Sequence, residues 1–209
     1  MHPASMSKLM TVYMLFDALR EGKVSLDSMF SVSENAWAKG GAASGSSTMF
    51  LHPHSQVRVE DLLRGIVVQS GNDACIVVAE NLSLTEAEFA AQMTARGKEI
   101  GLTNSHFANA TGWPDPEHMM SARDLAVLAR DLIRRFPEFY PVFSEKTFAY
   151  NDIKQGNRNP LLYKFPGADG LKTGHTQDSG YGLTASAKVG DRRLILVING
   201  LNSNKERSE

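Results

Sequence analysis

Pro3-Ala4-Ser5-Met6-Ser7-Lys8 is the stretch that decides the fold, because it opens a long amphipathic helix. Apolar residues recur at helical spacing as far as Leu19, and Gly22 marks the end of the helix. Ser5 and Lys8 are three residues apart, so their side chains lie one turn from each other on one face. That face continues through apolar positions, which predicts a buried lysine.

A lysine on a buried helix face has unusual chemistry. Removing an ammonium group from water is costly, so burial lowers the pKa of the Lys8 amine and favours the neutral base. Such an amine can take the hydroxyl proton of Ser5, which would make that serine a nucleophile. The helix N-terminus also offers free N–H groups to a developing oxyanion. Taken alone, the short S-x-x-K pattern favours a plainer interpretation, in which Ser5 caps the helix and Lys8 is solvated.

Composition excludes several classes of function. The chain has 209 residues, of which 42% are hydrophobic and 22% charged, as is typical of soluble globular proteins. A net charge of −1 provides no basic surface for nucleic acid. No apolar run is long enough to span a membrane. The single cysteine, Cys75, cannot form an internal disulfide, and its apolar helical surroundings favour a buried, unreactive thiol.

Two further polar motifs interrupt apolar segments. Ser70-Gly71-Asn72 lies at a turn between two predicted helices, where polar side chains need partners or act as caps. Lys172-Thr173-Gly174 enters a predicted strand. His52 and His54 flank a proline without a third ligand nearby, which favours a turn over a metal site.

Periodicity predicts one α/β (α+β) domain over residues 1–209, with a helical part at about 20–140. An antiparallel sheet follows at about 145–200 and packs with the nucleophile helix, residues 4–21. Residues 152–160 read as a polar loop, and residues 180–199 as a hairpin. The apolar run from Leu194 to Ile198 requires cover on both faces, but little chain follows to provide it.

The three motifs occur in the order S-x-x-K, S-x-N and K-T-G, which is typical of enzymes that acylate an active serine. The chain resembles low-molecular-mass penicillin-binding proteins, specifically the serine-type D-alanyl-D-alanine carboxypeptidases. The stretches that carry this resemblance are Pro3–Thr11, Gly45–Leu51, Ser70–Ala74, Phe107–Gly112, Asn157–Leu162 and Gly170–Thr176.

The resemblance implies a β-lactamase/transpeptidase-like fold and a role for each motif residue. Ser5 would attack the carbonyl between two terminal D-alanines, and Lys8 would take its proton. Ser70 and Lys172 would deliver a proton to the leaving amine. Asn72 would hold both Lys8 and the substrate amide.

Substrate-binding residues follow from the same resemblance. Lys172, Thr173 and Arg158 would bind the C-terminal carboxylate. The less favoured alternative for Arg158 is a surface arginine in a loop. Backbone N–H groups of Ser5 and His175 would form the oxyanion hole, and Gly174 would line the site. No metal and no cofactor are expected.

The resemblance also implies partners and a location. Peptidoglycan stem peptides would be substrates and β-lactams covalent inhibitors, on the extracytoplasmic or periplasmic side, with membrane contact only through segments absent here. Gly71 is typical of the carboxypeptidases, and the lack of a deacylating glutamate argues against fast β-lactam hydrolysis. Alternatives are D,D-endopeptidase action, and a penicillin-binding sensor or inactive fragment. The sheet is expected to be incomplete, since family members carry strands before the serine motif and a helix after the last strand.

Overall fold

A computed structural model describes residues 1–209. Helices surround one central helix, and an antiparallel sheet packs beside them, which confirms the predicted α/β class. The helices are α1 (Lys8–Arg20), α2 (Glu34–Gly40), α3 (Val59–Val67), α4 (Asn72–Leu82), α5 (Glu86–Glu99), α6 (Ala122–Arg135), α7 (Leu161–Lys164) and α8 (Asn204–Ser208). The strands are β1 (Met29–Ser31), β2 (Gln56–Arg58), β3 (Thr147–Tyr150), β4 (Ile153–Gly156), β5 (Ala168–Thr176), β6 (Gly180–Val189) and β7 (Arg192–Leu201).

Helix α1 runs through the centre of the molecule. It packs against α3, α4, α5 and α6, so it is buried on nearly every side, as a helix with few polar faces must be. Tyr13 and Phe16 each pack against Phe136, with ring centroids 5.1 and 5.4 Å apart. The predicted helix is confirmed from Lys8 onward, whereas Ala4–Ser7 form a tighter 3₁₀ turn. This packing fixes the turn that carries Ser5.

The remaining helices agree with the sequence except at one place. Thr85 and Ser121 cap α5 and α6 by accepting hydrogen bonds from backbone N–H groups at 3.1 and 3.0 Å. Strands β1 and β2 pair antiparallel inside the part predicted to be helical, with Phe30 opposite Val57. Each has three residues, too few for alternation to reveal a strand in the sequence.

Strands β5, β6 and β7 form the main sheet in sequential antiparallel order, as predicted. The two faces of β7 differ sharply. Ile195 and Val197 pack against the core, whereas Leu194 and Leu196 are 63% and 48% exposed. The apolar run in β7 therefore has cover on one face only, which agrees with the sequence-based expectation of an incompletely covered strand.

The prediction of a polar loop over residues 152–160 is wrong for its first half. Residues Ile153–Gly156 form β4, which pairs with β3 to make a separate hairpin. Asn151 and Asp152 form its turn with φ angles of 47° and 60°, a conformation that Asn and Asp tolerate better than most residues. The polar composition of β4 concealed the strand, because its side chains lie mostly in solvent.

Helix length and hydropathy bear on membrane insertion. None of the eight helices combines the length and apolar character that a membrane-spanning helix requires.

Candidate active site

Ser5 lies in a strained turn that two glycines hold in place. The preceding residue, Ala4, has a φ of 48°, which is unusual for a residue with a side chain. Gly112 packs so tightly on this turn that a Cβ there would lie 2.0 Å from the Ala4 carbonyl oxygen. A Cβ on Gly174 would lie 2.9 Å from the Pro3 carbonyl oxygen. These contacts keep Ser5, which is partly exposed, at the surface of the turn.

Lys8 is fully buried beneath Ser5. Its Nζ lies 2.8 Å from Ser5 Oγ, 2.7 Å from Asn72 Oδ1 and 2.6 Å from the Thr111 carbonyl oxygen. Burial lowers the pKa of Lys8 to about 8, since no carboxylate contacts the amine to offset the loss of water. A neutral amine has two N–H donors and one lone pair. Asn72 and Thr111 can take both donors, which leaves the lone pair facing the Ser5 hydroxyl.

A second lysine lies across the site on strand β5. Lys172 Nζ donates to Ser70 Oγ and to the Thr173 carbonyl oxygen, both at 3.0 Å. Burial, followed by the nearby charge of Lys8, holds the pKa of Lys172 well below its usual range. Ser70 has a φ of 59° in the turn between α3 and α4. Ser70 and Lys172 thus form a second buried hydroxyl–amine pair.

Asn72, the first residue of α4, joins the lysine to the rim of the cleft. Its Oδ1 accepts from Lys8, and its Nδ2 donates to Ser46 Oγ at 2.9 Å. The backbone N–H of Asn72 donates to the Ser47 carbonyl oxygen at 2.8 Å. The loop containing Ser46 and Ser47 is therefore tied to the helix that orients Asn72.

Two arginines, Arg158 and Arg207, lie at the end of the cleft that is farther from Asn72. Arg158 donates to Ser47 Oγ at 2.6 Å from an exposed position on the rim. Arg207, on α8, is buried, and its guanidinium lies over the Tyr181 ring at 5.4 Å. The Nε of Arg207 is buried without any partner, and burial lowers the pKa of this guanidinium. No carboxylate neutralises either arginine, so this end of the cleft suits an anion.

The cleft divides into two cavities on either side of Ser5, with Ser5, Ser47 and His175 belonging to both. The arginine-side cavity, about 310 Å³, also includes Ser70, Arg158, Thr173, Gly174 and Arg207. The tryptophan-side cavity, about 430 Å³, also includes Ser46, Asn72, Thr111 and Trp113. His175 is exposed and stacks on Tyr181 with ring centroids 3.9 Å apart. All nine residues singled out from the sequence meet at this cleft, namely Ser5, Lys8, Ser70, Asn72, Arg158, Lys172, Thr173, Gly174 and His175.

Comparison with known proteins identifies the family. The family model of D-alanyl-D-alanine carboxypeptidases, peptidase S11, matches residues 1–203. The chain belongs to this carboxypeptidase family. D-alanyl-D-alanine carboxypeptidase DacC of Escherichia coli is 44% identical over 207 residues, which cover 98% of this chain and 52% of that protein. The chain thus spans about half the length of the curated relatives it matches.

Solved structures of family members share the fold of this S11 chain. Penicillin-binding protein 5 from Haemophilus influenzae superposes with a TM-score of 0.95 at 42% identity, covering 100% of this chain and 60% of that one. Penicillin-binding protein D2 from Listeria monocytogenes, solved in its ampicillin-bound form, has a TM-score of 0.80 at 27% identity, covering 98% of this chain and 81% of that one. The transpeptidase-like fold expected from the sequence is therefore correct.

Two elements of the S11 chain's cleft escaped sequence analysis. The Thr111 carbonyl accepts a bond from Lys8, but a backbone group leaves no residue-type signal. Arg207 lies in a short charged segment, Asn204–Ser208, whose composition is typical of a surface helix. Only the fold packs its guanidinium against the Tyr181 ring. The stretches that supply Ser46, Ser47 and Thr111 are among those that carry the family resemblance, but no role was assigned to these three residues from the sequence.

The structure also bears on the sequence-based predictions for Cys75 and for the histidine pair His52 and His54. Cys75 is fully buried, as predicted, and burial raises the pKa of its thiol to about 12, which disfavours the reactive thiolate. His54 contacts Glu34 at 3.1 Å on the surface. No group of three metal-ligating side chains surrounds it or any other residue.

Proposed function

We propose that this chain carries the active site of a serine D-alanyl-D-alanine carboxypeptidase that removes the terminal D-alanine from peptidoglycan stem peptides. The single observation that carries the proposal is the buried Lys8 amine at 2.8 Å from Ser5 Oγ. Family membership supports the substrate class. The residue roles combine the roles that the family resemblance implies with the geometry of the cleft.

Acylation begins at Ser5. Lys8 accepts the hydroxyl proton as Ser5 Oγ attacks the carbonyl carbon of the peptide bond between the two D-alanines. The resulting oxyanion lies between the backbone N–H groups of Ser5 and His175, two residues that line both halves of the cleft. Each oxyanion donor contributes about a hundredfold or more to the rate.

Collapse of the tetrahedral intermediate breaks the C–N bond and forms the Ser5 ester. Ser70 and Lys172 place a proton on the departing D-alanine nitrogen, which their 3.0 Å contact supports. Asn72 keeps Lys8 in position and offers its amide to the substrate backbone. Lys8 passes the proton taken from Ser5 to the Ser70–Lys172 pair, which replaces the proton given to the departing amine and leaves Lys8 neutral. Water then attacks the ester carbonyl, and Lys8 takes a proton from the water and returns it to Ser5 Oγ as the ester C–O bond breaks.

Recognition of the free C-terminus falls to the arginine-side cavity. Lys172, Thr173 and Arg158 bind the carboxylate of the terminal D-alanine, and Arg207 adds a buried positive charge beneath it. A charge-assisted hydrogen bond of this kind contributes about 1.5–3 kcal/mol. A substrate without a free carboxylate on the leaving side of the scissile bond would lose this term.

A β-lactam carries a strained amide and a carboxylate, so it would acylate Ser5 in the same cleft. We place the protein on the extracytoplasmic or periplasmic face of the membrane, where peptidoglycan stem peptides are found.

Two measurements test the proposed function. Fluorescent penicillin should label the protein covalently, and Ser5→Ala should abolish labelling while Cys75→Ala retains it. D-alanine should be released from a pentapeptide ending in D-Ala-D-Ala. Stable labelling without D-alanine release would favour the sensor or inactive fragment, and release only from cross-linked muropeptides would favour an endopeptidase.

A further inference from the structure

Thr11 continues the helix face that carries Ser5 and Lys8. It follows Lys8 by about one helical turn on α1, so these side chains succeed one another along one face. Thr11 is fully buried, and none of the proposed catalytic steps uses it. A threonine hydroxyl inside a helix commonly bonds to a carbonyl oxygen one turn earlier. Thr11 instead donates at 2.6 Å to the Ala110 carbonyl oxygen, in the loop between α5 and α6.

Two consecutive carbonyl groups of this loop are therefore bonded to α1. The Ala110 carbonyl oxygen accepts from Thr11 and the Thr111 carbonyl oxygen accepts from Lys8, each at 2.6 Å. Because peptide units are planar and these two are joined at the Thr111 Cα, the direction of one carbonyl limits the direction of the other. No helix or strand includes Ala110 or Thr111, so hydrogen bonds to side chains set their orientation.

The peptide unit between Ala110 and Thr111 is held on both sides. Its N–H group donates to Asn109 Oδ1 at 3.1 Å, and its carbonyl oxygen has Thr11 as its only donor. Without the Thr11 hydroxyl, this buried carbonyl would be left unpaired, which is costly. The peptide unit would turn toward another donor, and the Thr111 carbonyl would move with it.

The Thr111 carbonyl decides which way the Lys8 amine faces. A neutral amine has two N–H donors, which Asn72 and Thr111 take, and one lone pair, which is left for Ser5 Oγ. If the Thr111 carbonyl turns away, an N–H group of Lys8 is free to point at Ser5 in place of the lone pair. The amine would then be a poorer proton acceptor.

We infer that Thr11 is a positioning residue for the general base, acting through the Ala110–Thr111 peptide unit and the Thr111 carbonyl. Thr11 makes no hydrogen bond to Ser5 or to Lys8, so its effect on either must pass through the loop. This inference rests on the proposed function, because it requires Lys8 to be the base.

The charged and titratable groups around Lys8 leave this route undisturbed. They are Asp73 and Cys75 on α4, Lys172 on β5 and Arg158 on the rim of the cleft. Thr11 bonds to none of these groups. A substitution at Thr11 therefore changes the hydrogen bonds of the amine and not the charges that face it.

Two variants that differ by a single hydroxyl group isolate the effect. Thr11→Ser keeps the donor, whereas Thr11→Ala removes it. The rate of labelling by fluorescent penicillin is measured for both from about pH 6 to about pH 10. The plateau at high pH reports how well the neutral amine takes the proton, and the midpoint reports the pKa of Lys8.

Thr11→Ala should lower the plateau rate by about fivefold to tenfold, as expected for one misdirected hydrogen bond. It should also lower the midpoint by about half a pH unit, because the ammonium form loses an acceptor and is disfavoured. Thr11→Ser should stay within about twofold of the wild-type plateau and keep the wild-type midpoint. A loss of stability alone would lower Tm without moving the midpoint.

Thr94 supplies the matched control, because it ties down the same loop at a distance from Lys8. From α5, its hydroxyl accepts from the Phe107 N–H at 3.0 Å and donates to the Ala90 carbonyl oxygen at 3.1 Å. Thr94→Ala should lower Tm relative to Thr94→Ser and leave the plateau and the midpoint of the folded protein unchanged. If Thr94→Ala moved the midpoint as far as Thr11→Ala does, the inference would be overturned, since any loosening of the loop would suffice.

Equal plateau rates or equal midpoints for Thr11→Ala and Thr11→Ser would also overturn the inference. If Thr11→Ala does not fold, Thr11→Val, which fills the same space without a donor, replaces it in the comparison. Failure of the proposed function has a different signature, namely wild-type protein that fluorescent penicillin does not label at Ser5.

Discussion

The cleft has a helical wall, which carries Lys8 and Asn72, and a sheet wall, which carries Lys172, Arg158 and Arg207. The two walls differ in whether their polar side chains have hydrogen-bond partners within the protein. On the helical wall, Lys8 lies within 2.8 Å of all three of its partners, and each partner is an oxygen of this chain. On the sheet wall, Arg207 is buried with an Nε that has no partner, and Arg158 makes a single hydrogen bond to a side chain. Lys8 is thus satisfied without substrate, whereas Arg207 Nε and most N–H groups of Arg158 have no partner in the protein.

This difference separates two tasks. A proton acceptor works best when its geometry is set in advance, because nothing has to reorganise as the proton moves. Unsatisfied buried donors are costly in the free protein, and an incoming carboxylate would repay that cost by binding there. The helical wall is therefore built for activating Ser5, and the arginine end of the sheet wall for recognition.

Removing the base is the strongest challenge to the helical wall. Lys8→Ala should lower the rate of acylation by fluorescent penicillin by about 10²–10⁴-fold, because a general base typically contributes that much. Stopped-flow or gel-based labelling measures the rate. A variant that labels at the wild-type rate would show that another group deprotonates Ser5.

The pH dependence of acylation examines the same wall without mutation. Lys8 must be neutral to accept a proton, and burial lowers its pKa to about 8. The rate should rise with pH and level off above about 8, and at pH 6 it should be about a hundredfold below the plateau. A rate that is flat between pH 6 and 9 would contradict this assignment.

The sheet wall should respond through substrate binding. Arg207→Ala should raise KM for a D-Ala-D-Ala peptide by about tenfold, as expected for losing a buried positive charge beneath the substrate carboxylate, with a smaller change in kcat. Arg207→Lys is the conservative comparison and should recover part of the loss. If kcat fell while KM stayed constant, the guanidinium would belong to the chemistry and the division between the walls would fail.

A buried carboxylate, Asp73, provides a test of the rim on the helical wall. It accepts from the Thr48 hydroxyl at 2.6 Å and from the N–H groups of Met49, Leu51 and Ala74 at 3.0, 3.1 and 2.9 Å. Asp73→Asn replaces one acceptor oxygen by an NH2 donor, so two of the four bonds lose their acceptor, and it should cost about 2 kcal/mol of unfolding free energy. The Tm should fall by roughly 4–8 °C, and penicillin labelling should slow several-fold as the rim loosens.

Asp124→Asn is the matched control for Asp73. Asp124 is equally buried and accepts from Asn104 N–H and Ser105 Oγ at 2.8 and 2.7 Å, but it ties down a loop that does not line the cleft. Its substitution should lower Tm by a similar amount and leave the labelling rate of the folded protein unchanged. Equal rates for both variants would reduce Asp73 to a purely structural role.

The smallest expected effect links the two walls. The positive charge of Arg158 contributes to lowering the pKa of Lys8, after the larger effect of burial. Arg158→Ala should therefore move the midpoint of the labelling–pH profile upward by a few tenths of a unit. An unchanged midpoint would show that the walls act independently. A downward shift would contradict the sign of the interaction.

Much of this molecule was predictable from local sequence. The three-residue spacing of Ser5 and Lys8 follows the helical period of 3.6 residues, and the long strands of the main sheet show a period of 2. The residue types of Thr85 and Ser121 mark them as helix caps. Strands β1 and β4 were not predicted, since three or four residues do not display a period, whereas β3 lies within the part predicted as sheet. The meeting of the three motifs was inferred from resemblance, because the residues alone do not show that distant segments converge.

The sequence by itself determined which groups could react: a serine one helical turn from a lysine on a face that had to be buried. Tertiary structure decided what surrounds them. Arg207 reaches the cleft from a surface-like segment near the C-terminus, and the Thr111 carbonyl reaches Lys8 from a loop more than a hundred residues away in the chain. The spacing of side chains along one helix or strand follows directly from their positions in the sequence. The distance between remote segments is set only when the whole core packs.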